Sequence, residues 1–136
     1  MKIVVDANIF FAAFIREKSD LRRILLSSEL ELFTPDWFLE ELDKNEKEII
    51  KKMDSTKGYL ETKKLLLSFI KIVSSVEYAK YIEIAGKELK ENKKDVPYIA
   101  LCLFLNAPLW SNDIRLKKSQ KLVKIITIQE MIEKLL

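Results

Sequence analysis

Histidine is absent from the 136 residues, and cysteine occurs once, at Cys102. Without histidine, neither Ser-His-Asp and Cys-His arrangements nor most zinc sites can be built. Catalysis would have to rest on carboxylates, hydroxyls, lysines or a hard metal ion. A single cysteine excludes a disulfide within the chain, which fits a reducing cytosol and a cytoplasmic location. Cys102 lies in an apolar run and reads as a small packed hydrophobe. Two glycines and three prolines predict long regular elements and short loops. No apolar run reaches the roughly 20 residues of a bilayer-spanning helix. Residues 3–15 have the apolarity of a signal-peptide core, but Asp6 and Asn8 interrupt them. No small-residue cleavage site follows before the charged Arg16-Glu17-Lys18. Neither a leader nor a membrane is expected.

What is present is a globular composition, 49% hydrophobic and 33% charged. One domain spanning 1–136 is expected, burying roughly two thirds of its unfolded surface. A net charge of +3 permits a nucleic-acid partner without demanding one.

Short apolar runs at 2–5, 30–34, 69–73, 109–110 and 122–126, several of them β-branched, alternate with helical stretches. That order predicts an α/β fold, a three-layer α/β/α sandwich around a central, mostly parallel five-stranded sheet. Asn8 is read as the cap of a helix over 9–15. Ser19 or Asp20 opens the next helix, with Arg22 and Arg23 outward. Thr34-Pro35-Asp36 reads as cap, first-turn proline and first-turn acid of a helix to Met53. On that helix Phe38, Leu42, Ile49 and Met53 define a buried face, with Glu41 on its flank and Glu40 pointing away. Ser74 with Glu77 is spaced as a capping box for a helix through Glu91, and Thr127 with Glu130 as another for the last helix. The helix over 96–105 is apolar all round, with Pro97 in its first turn, so it should be buried.

Asp6, Glu41, Asp95 and Asp113 each stand at or beside the end of an apolar element. In parallel sheets, ligands bind beyond the carboxyl ends of the strands, where the strand order reverses. If strands one and four are neighbours there, Asp6 and Asp113 converge. Crowded carboxylates need a counter-charge. Oxygen donors without histidine or cysteine select Mg²⁺ or Mn²⁺ over zinc, an ion suited to attack by water at phosphorus. The bland alternative stays open on these residues alone. Asp6, Asn8, Asp95, Asn112 and Asp113 could each cap a helix, and Glu41 could be a solvated surface acid. Trp37, Tyr98 and Trp110 read as core rather than as base-stacking platforms.

VVDANIFFAA at the start, with Asp6 and then Asn8, resembles the opening of PIN-domain nucleases. TPDWFLEEL resembles that family's glutamate-bearing helix and matches Glu41. DVPYIALCLFLNAPLWSND is similar to its most specific stretch, placing Asp95 and Asp113 in an acidic quartet, with Ser111 and Asn112 at its small polar positions. The likeness runs in order over essentially the whole chain. Two positions depart, because many members carry acids where this chain has Tyr98 and Arg115. Both departures weaken a two-metal site and leave one metal well supplied.

The resemblance implies a Mg²⁺- or Mn²⁺-dependent ribonuclease cutting single-stranded or loop RNA. Small stand-alone members of VapC type are often toxins silenced by an antitoxin partner that occupies the site. Asp6, Asp95 and Asp113 would be metal ligands. Glu41 would bind through water or orient the attacking water. Asn8, Ser111 and Asn112 would hold carboxylates or substrate phosphate. Lys117, Lys118 and Lys121, with Lys93 and Lys94, are candidate contacts to the RNA backbone or, equally, solvated lysines. Members commonly form homodimers, and apolar helix positions within 56–84 are the candidate interface. Two other readings compete. One is a catalytically weak or inactive PIN-fold module that binds RNA or protein. The other is an aspartate-nucleophile phosphatase, which would want a general acid where Asn8 stands.

Overall fold

The computed structural model describes residues 1–16, 20–90 and 92–136. Ser19 and Glu91, proposed above as helix limits, and Glu17 and Lys18 of the charged cluster lie outside them. In chain order the elements are β1 (Lys2–Val5), α1 (Ala7–Ile15), α2 (Asp20–Leu25), β2 (Glu31–Pro35), α3 (Trp37–Met53), α4 (Thr56–Ser68) and β3 (Ile70–Val73). They continue with α5 (Ser75–Tyr78), α6 (Ile82–Leu89), α7 (Val96–Leu105), β4 (Leu109–Trp110), α8 (Ile114–Ser119), β5 (Ile125–Ile126) and α9 (Ile128–Leu135). The five strands form one parallel sheet in the order β3-β2-β1-β4-β5. From β1 the chain winds outward to β3, then returns across the sheet to β4. Right-handed crossovers put the helices of the two halves on opposite faces. On one side α1 packs against α3 and α4, while α7 packs on β1 and β2 with α5 and α6 around it. The expected sandwich is the observed one.

β1 forms because Ile3, Val4 and Val5 are β-branched and can be buried on both faces; all three are fully enclosed. α7 is equally enclosed from Tyr98 to Cys102. It stops at Asn106, whose left-handed backbone, φ 52°, lets its N–H reach Cys102 and Leu103 carbonyls. Among the described residues no helix is long and apolar enough to cross a membrane. Within 56–84, the stretch expected to offer an interface, the exposed apolar side chains are Leu60, Leu65, Phe69, Ile72, Val76, Ile82 and Ile84.

Local signals were overruled in several places. Asp6, not Asn8, caps α1, because the strand ends there and its carboxylate reaches the Ala7 N–H. Thr34 is no cap: β2 runs on through Pro35, paired with Val73, and the Thr34 hydroxyl donates to the Val5 carbonyl at 3.0 Å. Proline lacks an N–H for the ladder, and the Asp36 N–H bonds the Val73 carbonyl instead. Arg22 does not point outward. Its guanidinium bonds the Ala13 and Phe14 carbonyls and the Thr62 hydroxyl, closing the end of α1. The single helix expected after Ser74 is α5, a 3-10 turn and α6 in succession. β5 is shorter than expected, since the buried Gln120 amide holds both the N–H and carbonyl of Val123 at 3.0 Å. The capping box of Thr127 and Glu130 is present as read.

Candidate active site

β1 and β4 are neighbours, with Val5 opposite Trp110, so the residues that follow them meet. Asp6 and Ser111 are both buried. The Ser111 hydroxyl donates to Asp6 Oδ2 at 2.7 Å, while Asp6 Oδ1 accepts the Ala7 N–H at 2.8 Å. Asn8 Nδ2 lies 3.4 Å from both Asp6 Oδ2 and Ser111 Oγ. The Asn112 N–H reaches Asn8 Oδ1, and the Asp113 N–H reaches Ser111 Oγ at 3.1 Å. A residue in the first turn of α1 is thereby tied to the segment after β4.

The other acids arrive from three helices. Asp113 caps α8, its Oδ1 accepting from the Arg115 and Leu116 N–H groups. Asp95 ends a 3-10 turn, Lys93–Asp95, just ahead of α7. It makes no side-chain capping bond, so a helix cap does not account for it. Glu41 lies on the flank of α3, half-buried. The buried Tyr98 hydroxyl, from the first turn of α7, donates to Glu41 Oε1 at 2.5 Å.

Asp6, Glu41, Asp95 and Asp113 all line one open cleft of about 510 Å³, with Asn8, Phe11, Asn92, Lys93, Lys94 and Arg115. Their proximity shows in their proton affinities. Burial pushes Asp6 up to about 6 against its hydrogen bonds to Ser111 and Ala7, with Glu41 and Asp113 adding repulsion. Asp95 is pushed up to about 7 by burial first and then by Asp6 and Asp113, while Lys94 and Arg115 pull the other way. Glu41 is raised by burial and by Asp95, and the Tyr98 bond opposes this. Among the described residues, no three acids already stand together as a coordination cage. The carboxylates line one cleft rather than converging on one point. Their all-oxygen donor set still fits a hard divalent cation.

Three features of this cleft escaped the sequence reading. Tyr98 is core, as read, but its hydroxyl also partners Glu41, a role the sequence did not show. Arg115, also read as a missing acid, stands in the cleft wall. Phe11 was overlooked, although its place three residues after Asn8 on α1 puts both on one helix face. The structure does not bring Lys117 and Lys118 to the cleft. Lys117 is paired with Glu130 at 2.9 Å, in the corner between α8 and α9. Trp110 is core, as expected. Cys102 is fully enclosed, and burial raises its thiol well above the usual range, which makes it unreactive.

Among solved structures, a chain of VapBC2 from Rickettsia felis, crystallised with a DNA fragment from its promoter, is similar to this one. The TM-score is 0.73 at 18% identity, covering 93% of this chain and 98% of that chain. At that identity the likeness is one of fold. No curated protein matches the sequence. The model of the PIN domain matches residues 4–134, nearly all of the chain and all four acids of the cleft. With its strand order and strand-tip acids already evident, the chain belongs to the PIN-domain family.

Proposed function

We propose that this chain is a divalent-metal-dependent endoribonuclease, hydrolysing phosphodiester bonds of single-stranded or loop RNA, and the toxin of a toxin–antitoxin pair. The observation that carries the reading is the gathering of four acids from separate elements into one cleft, two of them with proton affinities lifted toward neutrality. Isolated caps would have no reason to crowd in this way. Asp6, Asp95 and Asp113 would hold Mg²⁺ or Mn²⁺. Such an ion, when bound, neutralises charge developing on the phosphodiester and eases deprotonation of an attacking water.

The chain's own groups do the rest. Ser111 and Asn8 fix the orientation of the Asp6 carboxylate. Glu41, held by Tyr98 and with its proton affinity raised by burial, is suited to orient the attacking water and take its proton. Asn112, whose backbone N–H reaches Asn8 Oδ1, would meet substrate phosphate. The likeness to VapBC2 supports a paired antitoxin that would occupy the cleft.

Incubating wild type and Asp6→Asn with a mixed RNA pool, with and without Mn²⁺, tests this reading. Cleavage should need the metal and vanish in the variant. Mn²⁺ bound to the native state alone should also raise the melting temperature with concentration. No cleavage and no shift at millimolar Mn²⁺ would favour a PIN-fold binding module over an enzyme.

A further inference from the structure

Four carboxylates in one cleft repel a phosphodiester unless positive charge stands among them. One dication set against four ionised acids leaves the wall two charges negative. Lys93, Lys94 and Arg115 turn that balance to one positive. Some cations elsewhere are held in ion pairs: Arg23, Lys52, Lys57, Lys63, Lys87 and Lys117, at 3.3, 3.2, 4.0, 3.6, 3.3 and 2.9 Å. Lys94 and Arg115 differ. Among the described residues neither side chain is in an ion pair or hydrogen bond, yet both line the cleft and both act through space on Asp95.

They reach it from separate elements, Lys94 from the turn before α7 and Arg115 from the first turn of α8. The Arg115 backbone is held by Asp113 Oδ1 at 3.0 Å, which anchors the base of the side chain beside an acid of the site. A guanidinium presents a planar fork that matches two phosphate oxygens. The Arg115 side chain lines the cleft and acts on Asp95 through space.

We propose that Arg115, with Lys94 from the neighbouring turn, grips the phosphodiester of bound RNA and supplies the charge that a second divalent ion would otherwise bring. The site then operates with one ion. The proposal rests on the nuclease reading above.

Steady-state cleavage in Mn²⁺ across a salt series, with Mn²⁺ stoichiometry by calorimetry, tests it on wild type, Arg115→Gln, Arg115→Lys and Arg115→Glu. Lys52→Gln, at the far end of α3, controls for net charge. Arg115→Gln should raise KM about tenfold, the worth of one charge-assisted hydrogen bond. Its log kcat/KM should fall less steeply with log salt, by about 0.7 per lost charge for single strands. Arg115→Lys should restore the slope, and Lys52→Gln should leave it unchanged. Mn²⁺ stoichiometry should be one in wild type and Arg115→Gln, and should rise to two in Arg115→Glu. If Arg115→Gln does not fold, as its melting curve would reveal, Lys94→Gln reads the same grip from another element. Active wild type that binds two Mn²⁺, or an Arg115→Gln enzyme with unchanged KM and slope, overturns this proposal and leaves the nuclease reading standing. Wild type that neither binds Mn²⁺ nor cleaves RNA removes both.

Discussion

Two clefts open near the carboxyl ends of the strands, and each is headed by an aspartate that directly follows a strand. Asp6 follows β1 at the point where strand order reverses. Asp36 follows β2 and lines a cleft of about 450 Å³ with Trp37, Ser75, Tyr78 and Pro97. Asp36 is satisfied. Its Oδ1 accepts the Tyr78 hydroxyl at 2.6 Å and its Oδ2 the Ser75 N–H at 3.0 Å, so it clasps α3 to α5. In the first cleft, Asp6 is hydrogen-bonded yet still raised to about 6, and Asp95 makes no capping bond and is raised to about 7. An acid at a strand tip is thus no sign of chemistry by itself. What separates the clefts is burial of the carboxylates first, and their mutual repulsion second, beyond what local donors offset.

The sharpest break of this comparison would come from removing one acid on each side. Asp95→Asn should lower Mn²⁺-dependent RNA cleavage by at least about 100-fold with the melting temperature held or raised. Asp36→Ala should keep kcat but lose about 1–3 kcal/mol of stability, since Tyr78 is left buried without its acceptor. Similar outcomes for the two variants would dissolve the distinction.

A pH series probes the same contrast without the substrate. Asp95 titrates near 7 in the fold against 3.8 as a free group, so between those values the folded chain holds a proton that the unfolded chain has released. Stability of the metal-free protein should therefore fall as pH rises from about 4 to 7, with the loss complete above 7. Mn²⁺ must displace that proton, so its affinity should climb by up to about tenfold per pH unit below 7. Asp95→Asn should flatten both curves, as melting scans and calorimetric titrations would show. An unaltered dependence would mean Asp95 is not the titrating group.

The two tyrosines give a finer test. Tyr98→Phe and Tyr78→Phe each remove one hydroxyl donor to an acid, at about 1 kcal/mol of stability. Only Tyr98→Phe should also lower kcat, by roughly 10-fold as for loss of a supporting bond, with KM kept. The smallest effect is expected outside both clefts. Lys117→Ala with Lys118→Ala should leave the salt dependence of RNA cleavage unchanged, because Lys117 is engaged with Glu130. A shallower slope would return that corner to the RNA-binding surface.

The strands and buried helix were legible because their causes are local. A β-branched run enclosed on two faces, as in β1, and a ten-residue helix apolar all round, admit few alternatives. The capping box of Thr127 and Glu130 was legible for the same reason, being a four-residue arrangement. Thr34-Pro35-Asp36 marked the helix start to within two residues, since Asp36 stands at the N-cap of α3, but Thr34 and Pro35 went to pairing with β3. Arg22 was misplaced because its acceptors lie on α1 and α4, and no helical wheel of α2 contains them. Asn8 yielded the cap to Asp6 yet remained in the site, tied to Ser111 across more than a hundred residues.

By itself the sequence determined the chemistry that was excluded and the donors that remained: no histidine, one enclosed cysteine, and acids at the ends of apolar elements. Strand propensity and helix periodicity act within a few residues, so the alternation of elements was determined too. Tertiary structure alone decided that β4 lies beside β1, because a short apolar strand fits beside any other until the crossovers choose. That choice set Ser111 against Asp6 and gathered the acids, and it also decided which cations share their cleft. Burial and through-space repulsion depend on distances between segments that the linear order leaves free, and they set the four acids of this cleft apart from isolated ones.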